Sequence, residues 1–191
     1  NLFFKIVSLN DIRNGNIKSK INFFISFDDV PTISKQAFQW LEKKELPFVI
    51  CPNIKLVEEF SSISDRFKFT LQKVKKEEIE KSLQNFLNKK QMLILKNGGL
   101  KKLYKSYTID QRKLANLFEE NIFKDLEHDF IKYFKKSNYL SWEDIKNISK
   151  NNSLASHGYN HYDFFFLDYQ EILNELELSK YIFEDKIKSK V

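Results

Sequence analysis

Four side chains in this sequence have the types and spacing for metal-assisted chemistry. Asp28 and Asp29 are adjacent at the end of an apolar run, and His157 and His161 stand four apart in Ser156-His157-Gly158-Tyr159-Asn160-His161. Carboxylates crowded side by side raise each other's pKa unless something positive compensates them, and a cation at that edge would do so. Imidazoles at that separation share one side of a helical turn, where both can reach a single ion. One carboxylate with two imidazoles makes the open three-ligand set of a hydrolytic zinc site, which leaves room for water and substrate. A plainer reading stays open beside this one: the aspartates end a strand and cap the next segment, and the histidines are unrelated. The remaining histidine, His128, sits among charged residues and is expected to face solvent.

Several elements must carry these residues. Leu2 to Leu9 is strand-like and runs into a loop with a turn at Asn14-Gly15-Asn16. Ile21 to Phe27 is rich in β-formers and stops at Asp28-Asp29-Val30-Pro31, as a buried strand meeting a polar edge. Ser34 to Lys44 suits a helix with Ala37, Phe38, Trp40 and Leu41 on its apolar positions; Pro47 ends it before a short buried strand, Phe48 to Cys51. Strand, helix, strand is the pattern of a parallel sheet.

From about Leu56 to Tyr139 the chain becomes helical in period and highly charged, with Leu71, Val74, Ile79, Leu83, Phe86 and Leu87 on one face. Asn97-Gly98-Gly99 divides this stretch, and Thr108-Ile109-Asp110-Gln111 resembles a capping-box start. Ser141-Trp142-Glu143-Asp144 caps a further helix that ends near Asn151-Asn152. Ser153 to Ser156 then leads as an extended segment into His157. A last amphipathic helix opens at Asp168 and runs to about Lys186, with Ile172, Leu173, Leu176, Tyr181 and Ile182 inside.

Phe24-Ile25-Ser26-Phe27-Asp28-Asp29-Val30-Pro31 resembles the first motif of the NodB-type polysaccharide deacetylases (carbohydrate esterase family 4), Thr-Phe-Asp-Asp-Gly-Pro. Ser156 to His161 is similar to their His-x-x-x-His motif, and the approach through Tyr139 to Ile145 is similar as well. The likeness covers roughly residues 20 to 51 and 138 to 188. It implies an α/β fold, part of a distorted (β/α) barrel, in three stretches: 1–55 with the Asp-Asp motif, a helical insertion over 56–138, and 139–191 with the histidine motif. It further implies a hydrolase acting on C–N bonds other than peptide bonds. Asp28 would be the general base to a metal-activated water, Asp29, His157 and His161 the ligands of a divalent metal, zinc, and an N-acetylated sugar or oligosaccharide the substrate. Formyl in place of acetyl suits the same machinery.

The sequence departs from the family at Ser26, which replaces threonine, and at Val30, where a stiff branched residue replaces glycine. The family's later Arg-x-Pro-x-Gly and Leu-x-His segments do not occur before Val191. Two readings therefore stand: an active N-deacetylase, or a catalytically silent, truncated carbohydrate-binding or scaffold relative that keeps the metal site. In either case sheet edges are expected to be covered by further sequence, a partner or a second copy.

Composition narrows the partners. The net charge is +6, but all of the 32 basic residues other than Arg13, Arg66 and Arg112 are lysine, interleaved with glutamate as on a solvated helix face. Arginine is the residue that reads phosphate or guanine in bidentate fashion, so no nucleic-acid partner is expected. No apolar run approaches the roughly eighteen residues of a membrane span. The lone Cys51 lies in an apolar run as a buried free thiol. With no leader visible before Asn1, a cytoplasmic protein is expected, a removed leader being the other reading.

Overall fold

The computed structural model describes residues 4–17, 21–59, 61–133 and 138–188. In chain order these form β1 (Phe4–Ile6), α1 (Leu9–Arg13), β2 (Ile21–Phe23), β3 (Ser26–Asp28), α2 (Lys35–Lys43), β4 (Val49–Cys51), α3 (Ile54–Glu59), α4 (Ile63–Lys73), α5 (Lys76–Leu83), α6 (Lys89–Tyr104), α7 (Gln111–Asn121), α8 (Glu127–Tyr133), α9 (Trp142–Ser149), β5 (Ser153–Leu154) and α10 (Tyr169–Ile187). The fold is mixed α/β and mostly helical. Its parallel sheets are small and none is closed among the described residues: β1 pairs with β2, and β3-β4-β5 form a three-stranded sheet with β4 in the middle. No helix among the described residues is long and apolar enough to cross a membrane.

The chain divides into two compact units, Asn1–Phe60 with Ser137–His161 and Tyr169–Val191, and Ser61–Lys136 with Tyr162–Asp168. The sequence pattern placed the boundaries at 55/56 and 138/139. The helix α3 goes with the first unit because Ile54 and Val57 are buried in that unit's core, and the short segment 162–168 goes with the second.

In the first unit the apolar run Ile21 to Phe27 serves two sheets rather than one strand. Ile21 to Phe23 pairs with β1, and Ser26 to Asp28 pairs with β4. Leu2 and Phe3 of the expected first strand lie outside the described residues. The stretch after β1 is a short helix, not a loop, because Ser8 and Asp11 form a capping box: Ser8 Oγ accepts from Asp11 N at 3.0 Å and Asp11 Oδ2 accepts from Ser8 N at 2.9 Å. Ser141 and Asp144 start α9 in the same way. The helix α2 buries Phe38 and Leu41 but leaves Trp40 exposed. It closes in a Schellman arrangement, with Leu46 N donating to Leu41 O and Glu45 N to Glu42 O, which holds Glu45 at φ 53. The core gathers Val30, Phe38, Leu41, Phe48, Ile50, Ile54, Leu140, Ile145 and Phe183.

The buried row of α10 is not the one its apolar pattern indicates. Glu175, Ser179, Phe183 and Ile187 face inward, while Leu176 and Tyr181 are exposed. Residues four apart share a helix face, so the row is regular in geometry; its first two members are polar, and a search for apolar periodicity passes over them.

The second unit buries Phe67, Phe69, Ile79, Leu83, Leu95, Leu100, Leu103, Leu114 and Phe118 in one apolar core. Leu71 and Phe86 are exposed instead of inside. Gly99 breaks the helical path of α6 with φ 72 and ψ −177, a conformation that favours glycine. The cap of α7 is Asp110, whose carboxylate accepts from Arg112 N at 2.7 Å, and not Thr108.

Candidate metal centre

Parallel pairing brings β3, β4 and β5 to an end on the same side of the sheet, the side on which open parallel sheets bind ligands. Asp28 is the last residue of β3 and Asp29 the next. Asp29 N donates to Cys51 O at 3.1 Å, so the aspartate is tied to the end of β4. The histidine segment is tied to the same strand: Ala155 N donates to Ile50 O at 3.0 Å and His157 N to Pro52 O at 3.1 Å. Backbone bonds to one central strand thus bring residues from opposite ends of the sequence to one edge.

Asp29, His157 and His161 converge there, each offering a ligand atom within 4.8 Å of the others. His161 Nε2 lies 3.0 Å and His157 Nε2 3.5 Å from Asp29 Oδ1. The imidazoles do not sit on a helical turn, as their spacing had indicated. The segment is irregular, with Gly158 at φ 80 and His161 at φ 62. At Gly158 an added Cβ would meet only Glu175 Oε2, at an ordinary 3.5 Å, so the backbone conformation and not crowding calls for glycine.

The donor set fits a small divalent ion. Asp29 Oδ1 is shut off from solvent and forms no hydrogen bond, although two imidazole nitrogens crowd it. Buried polar atoms are seldom left so. An ion with bonds of about 2.0–2.1 Å in tetrahedral array separates its ligand atoms by roughly 3.3 Å, and the two oxygen–nitrogen distances bracket that value. Burial opposes ionisation of the Asp29 carboxyl, but the neighbouring imidazoles of His161 and His157 outweigh it and hold its pKa below the ordinary carboxylate value.

Asp29 and Val30 both adopt left-handed backbone, at φ 59 and φ 42. For a β-branched residue this is an outlier, and Val30 is fully buried. Val30 O accepts from Leu140 N at 3.1 Å and Val30 N donates to Asp28 O at 2.6 Å. The tight turn after β3 is therefore held by packing and backbone bonds while its own conformation resists it.

Asp28 is not one of the groups that gather at ligand distance. It is exposed, and its carboxylate interacts with the side chain of Cys51, its register partner on β4. Burial pushes the Cys51 thiol up to about 11, with Asp28 adding to the shift; the sulfur is a protonated donor at neutral pH and not a thiolate ligand. His128 is exposed on α8 in the other unit.

Three further side chains bear on the histidine loop, and sequence reasoning missed all of them. Asn53, fully buried, donates from Nδ2 to His157 O and Gly158 O, both at 3.0 Å, and accepts from Leu56 N at 3.2 Å. Glu175, only 8% exposed, accepts from Tyr159 N at 3.0 Å and Asn160 N at 2.8 Å through Oε2, and from the Asn160 side chain through Oε1. Ser179 Oγ accepts from Ser156 Oγ at 2.6 Å and donates to Leu176 O at 2.9 Å; Ser156 Oγ in turn accepts from Gly158 N at 3.0 Å. The signal that could have found Glu175 and Ser179 is their four-residue spacing from Phe183 and Ile187. Asn53 carried no such signal beyond standing at the start of α3. No protein-family model, curated protein or solved structure matches this chain.

Proposed function

We propose that this chain is a metal-dependent hydrolase that removes N-acetyl groups from an amino sugar or polysaccharide, built on part of a NodB-like (β/α) barrel. The observation that carries the reading is the solvent-shielded Asp29 Oδ1 set 3.0 and 3.5 Å from two imidazole nitrogens. Asp29, His157 and His161 would hold the ion, and zinc suits one oxygen and two nitrogen donors. A bound zinc would supply a Lewis acid for the amide carbonyl and lower the pKa of water. Asp28, adjacent to the ligating aspartate and open to solvent, takes the proton from the attacking water and leaves Asp29 to the ion. Acetate and a free sugar amine are the products.

A second reading has its own support. Asp28 stands beside Cys51, its register partner on β4, whose thiol is held protonated, which suits a carbohydrate-binding relative that keeps the ion without turnover. One pair of measurements separates the readings. Zinc stoichiometry is determined on the chain and on Asp29→Ala, and acetate release is followed from N-acetylated oligosaccharides. One zinc per chain, lost in Asp29→Ala, with acetate released, supports the hydrolase; formate from N-formyl substrates would shift its substrate. Zinc bound without release selects the silent module. A wild-type chain that binds no zinc removes both.

A further inference from the structure

We propose that Glu175 is a positioning residue for the metal centre: from the middle of α10 it holds the loop between His157 and His161 in ligand-ready shape before any ion arrives. The proposal rests on the metal-binding reading above and adds to it how the ligand geometry is maintained.

The loop has no repeating helix or strand bonds of its own, so its shape must be imposed by groups outside it. Glu175 meets the two residues at its centre. Both backbone donors that reach Oε2, Tyr159 N and Asn160 N, lie between the two histidines, and the Asn160 side chain reaches the other oxygen. A buried carboxylate is costly unless such donors satisfy it, and an apolar side chain on the inward row of α10 would pack the core at least as well. The charge is therefore explained by the loop and not by the helix. Amide bonds to a carboxylate are stronger than those between neutral groups, which suits a loop that must keep His161 at φ 62.

One turn further along the same row, Ser179 takes the other end of the loop through Ser156, and Asn53 takes the carbonyls of His157 and Gly158. Each anchors backbone that flanks a ligand. Between the two histidines the carbonyls of Gly158 and Tyr159 are met by Ile54 N and Lys55 N at the start of α3, while Glu175 takes the amide donors of Tyr159 and Asn160.

The test uses the full chain, freed of metal and titrated with cobalt(II), whose visible spectrum reports ligand geometry. Loss of an outer partner of a metal ligand typically lowers affinity about 10- to 100-fold. That weakening, with a changed cobalt spectrum, is expected for Glu175→Ala, and Glu175→Gln, which keeps one acceptor oxygen, should recover part of it. In the metal-free protein, the amides of Tyr159 and Asn160 should exchange faster in both variants than in the wild type. Phe183→Leu perturbs the same inward row in its apolar part, away from the hydrogen bonds that hold the loop, and should leave cobalt affinity within about twofold.

Wild-type affinity and spectrum in Glu175→Ala would overturn the positioning role and leave the metal site intact. Equal weakening by Phe183→Leu would overturn it as well, by reducing it to general stability. If Glu175→Ala fails to fold, unchanged exchange at Tyr159 and Asn160 in Glu175→Gln overturns the proposal, and faster exchange there supports it. A wild-type chain that binds no cobalt overturns the metal reading itself, and the positioning role with it.

Discussion

The helical unit buries rings against rings, with Phe118 4.7 Å from Phe67 and 5.6 Å from Phe123, and Phe130 packed on Phe69 and Phe123. Among its buried polar side chains, Gln91 completes the cap of its own helix with Asn88 and donates to Thr108 O, and Gln111 accepts from Asp163 N. The sheet unit uses buried polar groups differently. Asn53 donates to the carbonyls of His157 and Gly158, and Glu175 accepts from the amides of Tyr159 and Asn160, so both converge on one irregular loop. Backbone strain divides the same way. Among the described residues the helical unit has Tyr107 as its one non-glycine with positive φ, whereas the sheet unit has Asp29, Val30 and His161 at a single edge, besides Glu45 and Lys188 just past helix ends. Strained backbone persists only where surrounding structure over-determines it, and it gathers at functional sites. The contrast therefore sets the end of the three-stranded sheet apart as the candidate site on grounds independent of any ion.

The largest effect expected from this contrast is on stability. Phe118→Ala removes a fully buried ring from the helical core and should cost about 3–5 kcal/mol in denaturant unfolding. Zinc affinity of the folded fraction should be unchanged; a parallel loss of zinc binding would break the division between a stabilising region and a working one.

A smaller effect tests the strain at the site directly. Val30→Ala should cost about 2 kcal/mol, mainly for the lost methyl groups. Val30→Gly removes more surface, but relief of the left-handed backbone returns about 1–2 kcal/mol, so glycine should be no worse than alanine. At an ordinary buried position glycine would be lower by roughly a further 0.5–1 kcal/mol. Paired thermal melts read the order, and a Val30→Gly protein well below Val30→Ala would show that the turn after β3 is not strained.

The smallest effect lies at the surface. Glu45 is exposed at φ 53 after α2, and Glu45→Gly should stabilise by about 0.5–1 kcal/mol. Tyr107 has nearly the same backbone angle, φ 54, yet its hydroxyl donates to Asp163 at 2.8 Å and its ring meets Phe165 and Phe166. Tyr107→Gly should therefore destabilise. The two melts together separate positive φ tolerated by a helix end from positive φ held by side-chain contacts.

Much of this fold was legible where the signal is local. Ser141 and Asp144 started α9 as their spacing indicated and Pro47 followed the end of α2, whereas the apolar run before Asp28 became two short strands that are not buried. The same cap signature at Ser8 and Asp11 was passed over for want of a long apolar period behind it. At α10 the apolar pattern misled, because the inward row begins with Glu175 and Ser179. Polar residues on a buried row break the rule that hydrophobic periodicity marks the core, and such breaks are expected where a site must be held.

The sequence by itself determined which donors exist, an aspartate pair and two histidines, and which short segments cap, bend or extend, since those depend on neighbours a few positions apart. Only the tertiary structure decided that Asp29, which the family resemblance had implied as the ligand, reaches both imidazoles in space. It also decided that the histidine segment is a loop without helical turn, and that Glu175 and Asn53 hold it. The reason is physical: these outcomes depend on parallel strands pairing across long stretches of chain, and the identity of a distant partner leaves no trace in local periodicity.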